Sequence, residues 1–253
     1  MKKDIFILVG IVVFLFLIRK KKTIIEMPTE PIERAELKDA IEFNKIMKNY
    51  GITNRYARWA IMCIIGKESG FEPVVEKCYS NTKASNIRAV FKTRLGAKSD
   101  TFINDLKKDC KAFFNYVYGY AGNDLGNLPA TNDGYTFRGR GLNQLTGRGN
   151  YDYFGDKIGV DLVSNPELVN QNPNYFKIAV LYFIDSALSN AGKITLKKRL
   201  GINTINDFTE IDGAIRFFAN ANAGIGKSWN SQVVNWATDA AKKQKNKYKL
   251  LSL

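Results

Sequence analysis

Histidine is absent from all 253 residues. That absence removes Ser–His–Asp and Cys–His nucleophile systems, the commonest zinc ligand sets and imidazole proton relays, so acid–base work must fall to carboxylates. Cysteine is scarce too: Cys63, Cys78 and Cys110 are too few and too irregularly spaced for a disulfide framework or a four-ligand metal site, and neither a metal nor a cofactor is expected. Cys63 lies in an apolar helical stretch and reads as core. Cys78 and Cys110 are candidates to pair in an oxidising compartment, which spacing does not decide. A catalytic thiol is not expected without a histidine partner. Acidic residues are in short supply as well, 24 against 38 basic ones, leaving a net charge of +14. Such a balance favours polyanionic partners: nucleic acid, an anionic membrane, or a bacterial wall with its teichoic acids or phospholipids. The plain alternative is solubility. Because the basic residues are scattered rather than interleaved with aromatics on one face, no specific nucleic-acid partner is expected.

One long apolar run stands out, Ile5 to Ile18, between Lys2-Lys3 and Arg19-Lys20-Lys21-Lys22. About fourteen apolar residues rise only about 21 Å as a helix, short of the ~30 Å hydrocarbon core, so spanning requires snorkelling lysines or local thinning. A signal-peptide core fits by length, but no small-x-small cleavage site follows. The reading is a retained anchor over residues 1–22, an N-terminal transmembrane helix contacting lipid through residues 5–18. Residues 23–35, with Pro28 and Pro31 and no periodicity, read as an extended tether. Residues 36–253, in a chain that is 45% hydrophobic, are enough for one folded domain.

Within that domain the period is helical. Leu37, Ala40, Ile41, Ile46 and Met47 recur at helix spacing over Ala35 to Tyr50, and Gly51 ends the segment. Thr53 or Asn54 can cap a second helix on which Ala57, Ile61, Ile64 and Glu68 share one stripe, placing a carboxylate at its C-terminal end. Further long helices are expected at Phe102 to Tyr116, Asn174 to Leu188 and Glu210 to Ala219. The basic tail, Lys242 to Lys249, reads as a solvated end that could hold an anionic surface.

The most distinctive stretch is Phe137 to Tyr151, FRGRGLNQLTGRGNY. It reads as a ligand-gripping loop: its glycines permit tight backbone and close approach, and Asn143 and Gln144 offer donors and acceptors suited to sugar hydroxyls and N-acetyl groups. The stretch resembles the signature of glycoside hydrolase family 19, the chitinases and chitinase-like phage endolysins. Asp161 to Val169, Pro173 and the RFFANANAG segment at Arg216 to Gly224 extend the likeness downstream, and Glu68-Ser69-Gly70-Phe71, Val75-Glu76 and Tyr79-Ser80 resemble the phage form upstream. The resemblance implies a mainly α, lysozyme-like α+β fold: a two-lobed helical domain with a catalytic cleft and a small β/loop region.

Read from the residues, Glu68 is the first candidate acid, because a carboxylate ending an apolar stripe is partly desolvated, as a general acid requires. Glu76, eight residues on across a strand or loop, is the candidate second carboxylate, with Glu72 and Asp133 as rivals. Inverting glycosidases set such a pair about 6.5–9.5 Å apart to admit a water. The resemblance puts Thr146 where family members help hold this water; plant-type members carry His before the first glutamate, where this chain has Lys67. Ser69 stands beside the acid. Asn143, Gln144, Tyr79 and Ser80 are candidate sugar contacts, and Tyr135 and Phe137 could stack on a pyranose face, though Phe137 fits the core equally well. Asn220 and Asn222, with Gly224, form the expected far wall. Among Arg138, Arg140 and Arg148, at least one is expected to tune Glu76, and Arg216 to orient a carboxylate.

The leading functional expectation is a membrane-anchored peptidoglycan hydrolase of the lysozyme or endolysin kind, cutting β-1,4 links between amino sugars. Alternatives are a chitinase on N-acetylglucosamine polymers, a lytic transglycosylase that would leave anhydro ends, and a non-catalytic wall-binding or structural virion protein. The Arg19 to Lys22 cluster outweighs Lys2 and Lys3, so the positive-inside rule would hold the domain on the cytoplasmic side, away from a wall. A phage particle with its own lipid layer, and other virion proteins as partners, would remove that conflict.

Overall fold

Asn54 begins the helix around which the molecule is built. In the computed structural model, which describes residues 34–119, 124–225 and 229–252, its side chain accepts the Ala57 amide and caps the helix Arg55–Glu68 (α2). A first helix, Arg34–Asn49 (α1), precedes it, and Gly51 turns the chain between them at a φ of 84° that favours glycine. Next come the strand Val74–Val75 (β1), helices Ala84–Val90 (α3), Lys92–Leu95 (α4), Asp100–Leu106 (α5) and Cys110–Tyr118 (α6), and a helical turn Asp133–Thr136 (α7). The strand Arg140–Gly141 (β2) and helices Arg148–Ile158 (α8), Asn174–Leu188 (α9), Asn190–Thr195 (α10), Ile211–Asn222 (α11), Gln232–Lys242 (α12) and Lys245–Tyr248 (α13) follow. The architecture is mainly helical, and its small β element pairs Val74 with Gly141 and Val75 with Arg140, antiparallel.

The helix α2 is more deeply placed than its apolar stripe suggested. Every residue from Ala57 to Ile65 is buried, so it runs through the largest apolar cluster with neighbours on all sides. Phe43 and Met47 of α1, Phe176 and Phe183 of α9, Phe217 and Phe218 of α11 and Tyr248 of α13 belong to that cluster, as does Cys63, which is free and buried. A second cluster gathers Ile87, Phe91, Ile103, Phe113, Phe114 and Tyr118, drawn mainly from α3, α5 and α6, together with Tyr79. A third joins Phe137, Tyr151, Phe154 and Val169 to Ile178 and Leu181 of α9. The chain leaves the first cluster at Phe71, passes through β1, and enters the second at Tyr79. Glu76 therefore sits at a crossing between two bodies of apolar packing, while Glu68 belongs to the first.

Two expectations are corrected, and the open question of the cysteine pair is answered. The single helix expected over Phe102 to Tyr116 is broken in two: α5 ends at Leu106, and Asp109 accepts the Lys111 and Ala112 amides to start α6 afresh. Cys78 and Cys110 form a disulfide, which ties the segment after Glu76 to the start of α6. The stretch Phe137 to Tyr151 is not all loop, because its last four residues open α8.

The basic tail is not a solvated end. Tyr248 is fully buried, packed so closely on Gly66 that a Cβ there would collide with its hydroxyl. Lys247 pairs with Glu36 at 2.6 Å and Lys245 with Asp212 at 2.8 Å, and Trp59 Nε1 donates to the Lys245 carbonyl at 2.8 Å. Lys242, Lys245 and Lys247 find carboxylates on α1 and α11, while Lys243 and Lys249 stay exposed. The proposed anchor and the tether through residue 33 lie outside the described residues, and among the described residues no helix is long and apolar enough to cross a membrane.

Candidate active site

Glu68 is the last residue of α2, and its two carboxyl oxygens have different fates. Oε1 accepts from Lys67 Nζ at 2.6 Å and from Asn222 Nδ2, at the end of α11, at 3.2 Å. Oε2 is buried and has no hydrogen-bond partner among the described residues. Leaving a buried acceptor unmatched costs about 1–3 kcal/mol, and a fold that tolerates this at the end of its central helix keeps that oxygen for something else.

Glu76 is surrounded by donors. Tyr79 Oη and Tyr118 Oη each donate to Oε1 at 3.0 Å, Tyr118 also reaches Oε2 at 3.2 Å, and the Gly139 amide donates to Oε2 at 3.2 Å. The backbone closes the same contact in reverse, Glu76 N to Gly139 O at 2.8 Å. Burial pushes the Glu76 carboxyl above the usual glutamate range, and the Gly139, Tyr118 and Tyr79 donors and the more distant Arg138 guanidinium counter only part of that push. A carboxyl whose folded pKa exceeds its unfolded value, about 4.3, adds stability that is fully present below the unfolded pKa and is lost as pH rises through the folded one. Replacing it with a neutral isostere removes the loss. The thermal midpoint of Glu76→Gln, measured relative to wild type, should therefore rise as pH increases from about 4.3, the unfolded value, and level off once the folded carboxyl has ionised; a difference that stays flat with pH would contradict the buried carboxyl.

The turn facing these residues leaves little room for change. A Cβ at Gly139 would lie 2.7 Å from Gln144 Oε1 and 3.3 Å from Glu76 Oε2, so glycine at this position lets two functional side chains approach the backbone. Gln144 adopts a φ of 53°, in the left-handed region where a non-glycine residue is strained. Its Nε2 reaches Val74 O at 3.3 Å and Gly141 O at 3.4 Å, across the β1–β2 pair. Thr146 Oγ1 donates to the Gln144 carbonyl at 2.8 Å. Asn143 is buried, and among the described residues neither end of its amide has a hydrogen-bond partner. Arg140 Nη1 donates to Thr136 O at 2.7 Å and to Tyr151 Oη at 2.8 Å, and Tyr151 donates on to Arg138 O at 2.8 Å, a framework that holds the turn.

The structure thus gathers Glu76, Gly139 and Gln144 around the β1–β2 pair, with Thr146 bonded to the Gln144 carbonyl, and gathers Glu68 with Asn222 at the ends of α2 and α11. It reassigns others. Tyr79 is buried and spends its hydroxyl on Glu76, so it positions a carboxylate rather than lining a sugar rim. Tyr135 packs half-buried beside Phe114, with the Arg138 guanidinium 4.1 Å from its ring centre, and Phe137 is core. Arg138 acts on Glu76 through its field alone; no ion pair joins them among the described residues. Arg216 does not orient a carboxylate: it donates to the Trp229 carbonyl and to Asn230 and Asn235 Oδ1 at 2.9–3.1 Å, bracing the approach to α12. Ser69 turns its hydroxyl back to Ile65 O at 3.3 Å, Ser80 is exposed and Asn220 is buried in α11. Of the rival carboxylates, Glu72 is exposed, while Asp133 accepts the Leu128 amide at 3.0 Å and faces Arg148 at 3.6 Å.

Sequence reasoning missed Tyr118, Lys67 and Trp236. Tyr118 lies 42 residues from Glu76, in a helix whose apolar spacing advertises only core, so no local signal could have paired them. Lys67 was visible only as a departure from a family pattern.

Residues 109–193 match the family model of class I chitinases, glycoside hydrolase family 19, a span that includes Tyr118, Gly139, Gln144 and Thr146 but neither Glu68 nor Glu76. A stretch of 70 residues, 27% of this chain, is 40% identical to the acidic 27 kDa endochitinase of Solanum lycopersicum. The chain spans about a quarter of that relative's length, 25%. Over the matched segment the chain resembles glycoside hydrolase family 19, as the FRGRGLNQLTGRGNY motif implied.

Proposed function

We propose that the protein is a glycosidase that hydrolyses β-1,4 links between amino sugars by a single displacement. One observation carries the reading: Glu68 ends the central helix with Oε1 clamped by Lys67 and Asn222, which leaves Oε2, unmatched among the described residues, to carry the proton for a glycosidic oxygen. Glu76 takes the proton from the attacking water, its raised proton affinity suiting the role of base, and the Thr146 hydroxyl helps hold that water. Asn143, Gln144 and Ser80 supply the sugar contacts, and Asn222 keeps Glu68 in place.

Peptidoglycan is the proposed polymer, because a net charge of +14 concentrates the protein on an anionic wall and gains nothing on neutral chitin. The match to an endochitinase favours chitin as the second reading. Release of new reducing ends from purified peptidoglycan and from chitin, assayed side by side, separates the two: faster release from peptidoglycan is expected, and release from chitin alone would reverse the choice. Residues 1–22 are proposed as a membrane anchor, with the protein carried on a lipid-containing phage particle or in a cell envelope. Its detection by mass spectrometry in purified particles would support the first location, and its absence would remove it.

A further inference from the structure

Lys67 and Trp236 lie outside residues 109–193, the segment that matches the class I chitinase model, yet together they reach the proposed acid. Lys67 Nζ is 2.6 Å from Glu68 Oε1, with only 10% of the lysine side chain exposed. The same ammonium stands 4.0 Å from the centre of the Trp236 ring on α12, itself 36% exposed. Side chains one residue apart diverge by about 100° around a helix, so adjacency does not make this pair. The indole face supplies the anchor: it attracts the ammonium through its quadrupole and bends the stem back across the end of α2 onto the carboxylate. With Asn222 on the same oxygen, two donors of different elements converge on Oε1, and Oε2 is the oxygen left over.

We propose that Lys67 is a positioning residue: seated on Trp236, it fixes the rotation of the Glu68 carboxyl so that Oε2 meets the glycosidic oxygen. The inference rests on Glu68 being the acid. Its consequence is that a residue on α12, at one remove from Glu68, controls turnover through one lysine. A pair that served folding alone would change the melting temperature and leave turnover as it was.

The test is steady-state kinetics of the full chain on solubilised peptidoglycan, or on chitin oligomers if those are what the wild type cleaves. Lys67→Met should lower kcat about 10- to 100-fold with KM within about twofold, the signature of a lost orientation rather than of lost binding. Lys67→Arg keeps a cation able to stack and to donate to a carboxylate, and should recover most of the loss. Trp236→Leu should lower kcat several-fold, about tenfold at most, and should add nothing in the Lys67→Met background, since both act through one contact. If Lys67→Met does not fold, Trp236→Leu decides the matter by the same criterion. Unchanged kcat in these variants, a rise in KM alone, additive losses, or an arginine variant no better than methionine would overturn the inference. A wild type that cleaves neither polymer would overturn the glycosidase reading and this inference with it, a result distinct from active enzyme indifferent to Lys67.

Discussion

Glu68→Gln is expected to reduce cleavage of the wall polymer by about three orders of magnitude, the middle of the range for loss of a general acid. The substitution keeps the shape and removes the transferable proton. Its amide can still accept from Asn222 and Lys67, so the end of α2 should hold, and the melting temperature should stay within a few degrees of wild type. The two readouts must be taken together. A folded, inactive variant places the chemistry on this carboxyl; a folded variant with activity within tenfold of wild type removes it from the mechanism. In the Glu76→Gln variant the pattern differs, because activity falls while stability relative to wild type increases with pH. A carboxylate held in an apolar crossing is unfavourable for the fold and useful to the reaction.

Arg58→Ala is expected to be the most damaging substitution away from the site. Arg58 lies on the buried flank of α2 and donates to Asn44 Oδ1 at 2.9 Å, to the Ile52 carbonyl at 3.2 Å, to the Thr53 carbonyl, and to the Ser252 carbonyl at 2.7 Å. A single guanidinium thereby joins α1, the turn before α2 and the end of the chain, with Asn44 Nδ2 adding a bond to Leu251 O at 2.5 Å. Alanine leaves these buried acceptors unmatched and opens a cavity, a loss of about 3 kcal/mol. For a domain of this size that corresponds to a fall of about 6–12 °C in melting temperature. Thermal denaturation of the full chain checks it; a fall of less than about 2 °C would mean that the C-terminal segment is not stapled to α2 through this residue.

Much of the helical frame was legible because period and punctuation agreed. Asn54 and Gly51 bracket the turn into α2 as their chemistry requires, and α9 runs over the residues that its spacing marked. Two failures share a cause. The stretch Phe102 to Tyr116 kept a helical apolar spacing across a break that Asp109 enforces by capping, and the lysines of Lys242 to Lys249 looked solvated because their carboxylate partners are remote in sequence. The glycine-rich turn of the candidate site was legible because its backbone demands are local. Tyr79 was misjudged and Tyr118 unseen for the reason the tail was: a hydroxyl buried against a carboxylate follows from tertiary packing, and an aromatic at core spacing carries no mark of it.

Two carboxyl groups with separate duties carry the proposed mechanism, one giving a proton to the leaving sugar and one activating water on the opposite face. Proton NMR of the first reducing ends released, read before mutarotation, tests that division most directly. Cleavage of a β-1,4 link by one displacement leaves the new end as the α anomer, the predicted result. A β anomer would require a covalent intermediate, and an anhydro end would require no water at all; either would contradict Glu68 as the acid working with Glu76 as the base.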